Sequence, residues 1–394
     1  MSAGAASGFR CDLGAGPVEI RGAVAVDRVD PGWLPRRMGA YSRSQIPDDF
    51  MRQAVAECAG IRLVFRTEAR ELELDVRASR MVVGESLPMP VSWYDLTVGA
   101  ALVARSPSVA GTRVVFSFDA PSTYAVPGPA STVRFEGLPA GSKDVQIWLP
   151  YTDEVVLSAM RADAPVSPPA PGETLRWLHH GSSISHGYRA ESTTGTWPVV
   201  AALRAGLELT NLAYSGSAML DQLAARTIRD TPTDMISLKI GINIVNGDVM
   251  RLRAFRTAVH GFLDTIRDGH PGIPLVVVSP VFCGPVEDRA GPTVQDRSRP
   301  YEWSIAGGTA EDLQQGKLSL GVIRTELEEI VAARRATDAA LFYESGLELY
   351  GAQDARDLPL PDNLHPDPNA QRLIGERFAD RVLARLNPHA TVTN

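Results

Sequence analysis

Two short segments of the 394-residue chain carry a candidate nucleophile and a candidate base. In Gly-Ser-Ser-Ile-Ser-His-Gly, residues 181–187, glycines stand on both sides of Ser183. Near the C-terminus, Asp362 lies three residues before His365 in a loop that contains prolines. A serine that passes its proton to a histidine oriented by a carboxylate can attack carbonyl groups. Each segment alone also fits a simpler interpretation, in which the serines or Asp362 cap a helix and His365 lies on the surface.

Two further segments offer hydrogen-bond donors for a developing oxyanion. Gly216 ends Asn-Leu-Ala-Tyr-Ser-Gly, and its backbone N–H is one candidate donor. Asn243 stands two residues after Gly241, and its side-chain amide is a second candidate. The alternatives are an ordinary turn glycine and a turn asparagine, since Asn-Gly at 246–247 is a turn signal in its own right.

The elements that would position these residues follow from the pattern after residue 172. Short apolar runs alternate with helical periodicity, which predicts five strand–helix units and an open parallel sheet covered on both faces. Ligands of such sheets bind at the carboxyl ends of the strands, and the candidate residues follow these runs. The predicted strands are 175–179, 207–212, 235–240, 275–279 and 340–343, and the predicted helices are 197–205, 218–229, 251–268, 317–336 and 369–387.

The first part of the chain has a different pattern. Apolar residues recur at every second position, as in Glu-Leu-Glu-Leu-Asp-Val-Arg at 71–77, and glycines separate the runs. This alternation predicts an antiparallel β-sandwich, with jelly-roll character, and one helix near 48–59. Four prolines between 165 and 171 predict a stiff connector. We therefore expect a sandwich domain at 1–163, a linker at 164–173 and a catalytic domain at 174–394.

Taken together, the four segments resemble the SGNH, or GDSL-type, hydrolase family, over residues 174–388. The resemblance implies a flavodoxin-like three-layer domain with Ser183 as nucleophile, Gly216 and Asn243 as oxyanion donors, and Asp362 with His365 completing a triad. One position departs from the family pattern, because Gly-Asp-Ser is here Gly-Ser-Ser at 181–183. The predicted order, with a sandwich before this domain, is similar to that of some bacterial members that act on acylated carbohydrates. It also resembles that of acyltransferases from actinomycete natural-product pathways.

Composition limits the expected partners and location. With 46 acidic and 39 basic residues the net charge is −7, so neither nucleic acid nor a membrane surface is an expected partner. No basic leader with an apolar stretch precedes Phe9, and the apolar runs are too short to cross a bilayer. These observations predict a cytoplasmic protein.

No metal or cofactor is expected. Three widely spaced cysteines, at 11, 58 and 283, do not form a zinc-binding pattern. His179 and His180 are adjacent on a predicted strand, where neighbouring side chains point to opposite faces. No nucleotide-binding glycine motif follows the first strand of the parallel sheet.

Residues 283–316 form a long aperiodic insertion, which favours a lid or a substrate-binding loop, with Tyr301 and Trp303 as candidate substrate-binding residues. A flexible insertion without function is the alternative. The sequence thus predicts serine-dependent acyl transfer on a small-molecule ester or thioester, with ester hydrolysis as the leading reaction. The first alternative is transfer from a thioester such as acyl-CoA to a hydroxyl of a natural product. The second is a non-catalytic binding protein.

Overall fold

The structure is a computed structural model that describes residues 8–14, 16–83, 89–117, 120–299 and 303–386. The chain forms two compact units. The first unit comprises Met1–Gly39, Ile46–Thr174 and Ser192–Thr194. The second unit comprises Ala40–Gln45, Leu175–Glu191 and Gly195–Asn394.

The first half of the chain consists mainly of strands. In chain order its elements are β1 (Phe9–Cys11), β2 (Glu19–Arg21), β3 (Ala25–Val29), β4 (Gly32–Arg36), α1 (Ala40–Arg43), α2 (Asp49–Ala56), β5 (Arg62–Thr67), β6 (Leu72–Val83), β7 (Ser92–Val98), β8 (Ala101–Ser108), β9 (Thr112–Ser117), β10 (Ala120–Val126), β11 (Ser131–Phe135), β12 (Lys143–Trp148), β13 (Asp153–Ala162) and β14 (Val166–Ser167).

Two sheets of the first unit share one apolar core. One sheet has the order β10-β9-β6-β13-β4-β3, with β1 also paired to β13 and β11 to β6. The other has the order β14-β5-β12-β7-β8, with β2 also paired to β5. Core residues come from both sheets, for example Phe65 and Ile147 from one and Leu74 and Leu157 from the other. The alternation at 71–77 therefore marks a strand with one face in the core, as predicted.

Three features of this unit refine the sequence predictions. The strands are not all antiparallel, because β6 and β9 pair in parallel. The predicted helix at 48–59 is confirmed as α2, and it begins where the Asp48 side chain accepts a 2.7 Å hydrogen bond from the Met51 N–H. Within the predicted linker, Val166–Ser167 forms the short strand β14 beside β5.

The second unit is built on a five-stranded parallel sheet. Its strands are β15 (Arg176–Gly181), β16 (Glu208–Asn211), β17 (Met235–Lys239), β18 (Leu275–Val278) and β21 (Leu341–Glu344), in the order β16-β15-β17-β18-β21. All four neighbouring pairs are parallel. This is the flavodoxin-like order 2-1-3-4-5, whose switch point lies between β15 and β17. The five predicted strands are confirmed.

Helices and short elements complete this part of the chain. They are α3 (Ser183–His186), α4 (Trp197–Ala205), α5 (Gln222–Asp230), α6 (Ile242–Asn246), α7 (Leu252–Gly269), β19 (Thr293–Gln295), β20 (Ser304–Ala306), α8 (Leu320–Arg334), α9 (Ala352–Asp357), α10 (Pro368–Phe378), a π-helical turn at Ala379–Leu383, and α11 (Ala384–Leu386), with 3-10 turns at Thr193–Gly195, Gly284–Val286, Glu311–Gln315 and Gly346–Glu348. In the described part of the chain, no helix combines the length and apolar character needed to span a bilayer.

Two adjacent residues of β15 show that helices cover both faces of the sheet. The ring of His179 packs against Trp197 of α4, and neighbouring Trp177 stacks on Phe378 of α10. The ring of His180 packs against Phe262 of α7, on the opposite face. The second unit therefore has three layers, as predicted.

Candidate active site

Ser183 lies at the point where the central strand β15 turns into the short helix α3. The turn is tight, because a Cβ added to Gly181 would lie 2.4 Å from Ser185 Oγ. Only glycine therefore allows α3 to approach the strand this closely. The Asn211 side chain, at the end of β16, donates a 3.0 Å hydrogen bond to the Ser185 carbonyl and holds α3 in place. Ser183 is thus fixed at the carboxyl end of the central strand.

Ser183, His365 and Asp362 form a continuous chain of hydrogen bonds. The distance from Ser183 Oγ to His365 Nε2 is 2.9 Å, and that from His365 Nδ1 to Asp362 Oδ2 is 2.8 Å. With the Nδ1 proton donated to the carboxylate, Nε2 carries the lone pair that accepts the Ser183 hydroxyl proton. Ser183 is only 8% exposed, and Asp362 only 3%. The chain of contacts joins residues that lie 182 positions apart in sequence.

The Asp362 carboxylate is held by further donors besides the imidazole. Its Oδ1 accepts from the backbone N–H groups of Leu364 at 3.0 Å and His365 at 2.7 Å. Its Oδ2 also accepts from Arg189 Nε at 2.8 Å. Burial would raise the pKa of Asp362, but the hydrogen bonds and charge of His365 and the Arg189 bond outweigh it and hold that pKa well below its usual range. The carboxylate therefore stays ionised far into the acid range.

The candidate oxyanion donors follow the two strands that flank β15. Gly216 has φ +68°, a left-handed conformation that favours glycine. Asn243 lies in α6, and its Oδ1 accepts a 3.1 Å hydrogen bond from the Ala218 N–H, two residues after Gly216. This bond connects the two candidate segments and leaves the Nδ2 side of the amide as a donor. The loop that carries Gly216 also contacts β15, since the Tyr214 N–H donates to the Gly181 carbonyl at 2.9 Å.

The long insertion contains a small hairpin, β19–β20, which the aperiodic sequence does not predict. The hairpin is attached to the loop of the candidate triad, because the Ser304 N–H donates to the Asp362 carbonyl at 2.9 Å and Asn363 Nδ2 donates to the Ser304 carbonyl at 2.8 Å. At its other strand, Thr293 Oγ1 donates to Asn246 Oδ1 of α6 at 2.6 Å. The insertion thus contacts both α6 and the Asp362 loop.

The structure describes one of the two predicted substrate-binding residues. Trp303 directly precedes Ser304, is half-buried, and has the Arg299 guanidinium 4.3 Å from the centre of its ring. Tyr301 lies outside the described residues.

The two adjacent histidines of β15, His179 and His180, each form a hydrogen-bond contact with a neighbouring segment of the sheet. His179 Nδ1 contacts Ser237 Oγ at 2.7 Å, whereas His180 Nδ1 contacts the Leu212 carbonyl at 2.8 Å. Over the described ranges, no group of three potential metal-ligating side chains is found.

Comparisons with solved structures cover nearly the whole chain. The salicylyl-acyltransferase SsfX3 from a tetracycline biosynthetic pathway aligns with 99% of this chain and 100% of its own, at a TM-score of 0.80 and 24% identity. A protein described as a GDSL-like lipase from Bacteroides ovatus aligns with 94% of this chain and 96% of its own, at 0.66 and 13%. A family two carbohydrate esterase from Clostridium thermocellum, solved with cellohexaose, aligns with 94% and 99%, at 0.58 and 14%. The chain has the fold of SGNH-type hydrolases. No family model matches the sequence, and no curated protein matches it.

The SGNH fold was therefore predicted correctly from four short sequence segments. Ser182, which stands directly before the candidate nucleophile, has few polar contacts. Ser182 is the N-cap residue of α3, yet its side chain makes no capping hydrogen bond. Its buried Oγ has no hydrogen-bond partner among the residues described. With serine at position 182, the 2.9 Å contact between Ser183 Oγ and His365 Nε2 is present.

Two residues that contact the candidate triad were not predicted from the sequence. The Tyr188 ring lies 4.5 Å from the His365 ring, measured between centroids, and Arg189 contacts Asp362. Both directly follow α3, so their position just after the Ser183 segment was an available signal. Residue type gave none, since a lone Tyr-Arg pair in a loop is common on protein surfaces.

Proposed function

We propose that the chain catalyses acyl transfer through an acyl-enzyme formed on Ser183. The observation that carries the proposal is the continuous path from Ser183 Oγ to His365 Nε2 at 2.9 Å and from His365 Nδ1 to Asp362 at 2.8 Å. A nucleophile, a base within hydrogen-bond reach and a group that orients the base are the three parts that serine acyl chemistry requires.

In the first step, Ser183 Oγ attacks the carbonyl carbon of an ester or thioester while its proton moves to His365 Nε2. Asp362 accepts the Nδ1–H bond and stabilises the imidazolium. The tetrahedral intermediate then expels the alcohol or thiol, which takes the proton back from His365. General acid–base work of this kind contributes roughly 10²–10⁴-fold to the rate.

We assign the oxyanion to the backbone N–H groups of Ser183 and Gly216 and to Asn243 Nδ2. These groups follow the adjacent strands β15, β16 and β17. The Asn243 amide orientation, fixed by the Ala218 N–H, supports this role. Loss of one such donor costs on the order of 10²–10³ in kcat.

In the second step, His365 deprotonates an acceptor, which attacks the acyl-enzyme and releases Ser183. With water as acceptor the reaction is ester hydrolysis, the leading prediction from the sequence. With a substrate hydroxyl it is acyl transfer, and the fold similarity to SsfX3 over both full chains favours this second candidate. We propose small-molecule substrates in either case and invoke no cofactor.

We further propose roles for the remaining parts of the chain. The residues that carry the chemistry all fall in the second unit, which supports a catalytic domain within residues 174–394. Two sheets with a shared core support a β-sandwich in the first unit. Trp303 stands next to Ser304, which contacts the Asp362 loop, and we propose that Trp303 contacts substrate. Substrate binding by Tyr301 and a cytoplasmic location remain predictions.

Release of nitrophenol from nitrophenyl acetate by wild type, Ser183→Ala and Ser182→Ala tests the proposal. Ser182 is a matched control, since it is a buried serine next to the nucleophile whose side chain makes no capping bond. We expect turnover and covalent labelling by a fluorophosphonate in wild type and in the Ser182 variant, and neither in the Ser183 variant. Equal turnover in wild type and Ser183→Ala would refute the assignment.

The acceptor is tested in the same assay by adding benzyl alcohol and separating the products by chromatography. Benzyl acetate formed faster than acetate would establish transfer to a hydroxyl. Acetate as the dominant product at all alcohol concentrations would establish hydrolysis for this donor.

A further inference from the structure

Arg189 shares the Asp362 carboxylate with the candidate catalytic base. Its Nε donates to Asp362 Oδ2 at 2.8 Å, and the same oxygen accepts the His365 Nδ1–H bond at 2.8 Å. The Arg189 side chain is 32% exposed, whereas that of Asp362 is 4% exposed. A permanent cation therefore lies directly beside the carboxylate that has to stabilise the imidazolium.

The backbone brings two consecutive side chains to the same pair of residues. Arg189 has φ +67°, which is uncommon for a residue other than glycine. Tyr188, just before it, packs its ring against that of His365. Asn363, between Asp362 and His365, also has a left-handed φ, of +61°. Unusual backbone conformations of this kind persist where the surrounding contacts hold them, and they concentrate at functional sites.

We propose that Arg189 is a positioning residue that divides the charge of Asp362 between its own guanidinium and His365, and thereby extends catalysis to lower pH. The inference rests on the proposed acyl transfer by Ser183. With Arg189 present, the guanidinium neutralises part of the charge of Asp362, so Asp362 stabilises the imidazolium less strongly. Without the cation, Asp362 would stabilise the imidazolium more strongly, and the acid limb of the activity profile would move upward.

Among the described residues, Arg189 is the arginine paired with Asp362, and the other titratable groups packed on this loop are a thiol, a carboxylate and a phenol. Cys283, on the loop after β18, donates through Sγ to the Asn363 carbonyl at 3.5 Å, and burial raises the pKa of its thiol far above neutrality. Asp367 follows His365 in sequence and caps α10 by accepting from the Ala370 N–H. Tyr188 contacts the same loop through its ring, which packs against that of His365.

The test measures the second-order rate of fluorophosphonate labelling of Ser183, and kcat/KM for nitrophenyl acetate, from about pH 5 to about pH 9. Arg189→Gln and Arg189→Gly both remove the charge, but glycine relieves the left-handed backbone while glutamine does not. We expect the acid limb to move up by about 0.5–1 pH unit in both, since a partly exposed charge acts less strongly than a buried one. On that limb the shift corresponds to a roughly 3- to 10-fold lower rate at fixed pH. Arg189→Lys restores the cation and should return the limb toward the wild-type position.

Arg204→Gln is the matched control, because Arg204 is 34% exposed and also pairs through Nε with an aspartate, Asp380, at 2.8 Å. Its acid limb should coincide with that of wild type. A lower rate in the glutamine and glycine variants with an unmoved limb would show a merely structural role and would overturn the proposal. If wild type shows neither turnover nor labelling that depends on Ser183, the proposed function fails, and this inference fails with it. If wild type is active but the acid limb of the Arg189 variants does not move, the role of Arg189 is refuted while the proposed function stands.

Discussion

Replacement of Asn243 by alanine tests two proposed functions of this side chain, namely donation to the oxyanion through Nδ2 and stabilisation of the fold through Oδ1. Asn243 is 3% exposed, and its Oδ1 accepts from the Ala218 N–H at 3.1 Å. The variant leaves that backbone N–H without its partner, at a cost of about 1–3 kcal/mol in the free energy of unfolding. For a unit of this size, such a loss lowers Tm by about 2–12 °C. It also removes the Nδ2 donor, which should lower kcat about 10²–10³-fold.

The control for this variant is Asn246→Ala in the same short helix. Asn246 Oδ1 accepts a hydrogen bond from Thr293 Oγ1 at 2.6 Å, so this variant also loses one amide contact to a neighbouring segment. We expect a comparable loss of Tm but a decrease in kcat of less than about tenfold. Nitrophenyl acetate turnover and thermal unfolding, measured on the same preparations, give both quantities. If Asn243→Ala loses no more kcat than Asn246→Ala, the asparagine is a clamp and its assignment to the oxyanion hole is wrong.

Two further predictions concern stability. Gly181→Ala places a Cβ 2.4 Å from Ser185 Oγ and should lower both Tm and kcat. Gly261→Ala, in α7, has no atom within 4 Å of the added carbon and should raise the free energy of unfolding by about 0.5–1 kcal/mol. Thermal unfolding of the two variants should therefore show changes of opposite sign. Arg80→Met leaves Asp153, which is 0% exposed, without its buried ion pair and should lower the free energy of unfolding by about 3–5 kcal/mol. The double variant Arg80→Met with Asp153→Leu should recover much of that loss, as measured by urea unfolding. Equal losses in the single and double variants would contradict the argument.

The parallel sheet of the second unit was the most predictable part of the structure. The strands β17 and β18 are buried along their whole length, and they appear in the sequence as largely apolar runs. Helix ends were less predictable because they depend on single capping contacts. The predicted helix at 317–336 begins at Leu320, where Ser319 Oγ accepts the Val322 N–H. The predicted helix at 369–387 changes to a π-helical turn at Ala379–Leu383, which its periodicity does not indicate.

Contacts between distant segments could not be read from the sequence. The parallel pairing of β6 with β9 and the hairpin β19–β20 depend on which strands meet, and short or irregular strands carry no such information. Among the candidate site residues, Ser183 and His365 could be predicted from the sequence because the spacing of residues in their segments resembles that of the family. Tyr188 and Arg189 were not, since their importance arises only when the chain brings them to His365 and Asp362.

The strand order explains why contacts with other segments are needed to position the Asp362 loop. Ser183, Gly216 and Asn243 follow three adjacent strands, so the sheet itself brings their loops together. The last strand, β21, lies three positions from β15, a distance of about 14 Å at the usual spacing of strands.

The chain must therefore return across the edge of the sheet before it reaches Asp362, and the sheet cannot fix where it ends. Three anchors meet this need, namely the Arg189 side chain, the Ser304 backbone and Cys283 Sγ on the Asn363 carbonyl. Arg189 follows α3, whereas Ser304 and Cys283 both belong to the insertion at 283–316. The geometry of the base is thus set by segments outside the strand that precedes it, and substitutions in those segments should alter the pH profile or the rate without touching Ser183.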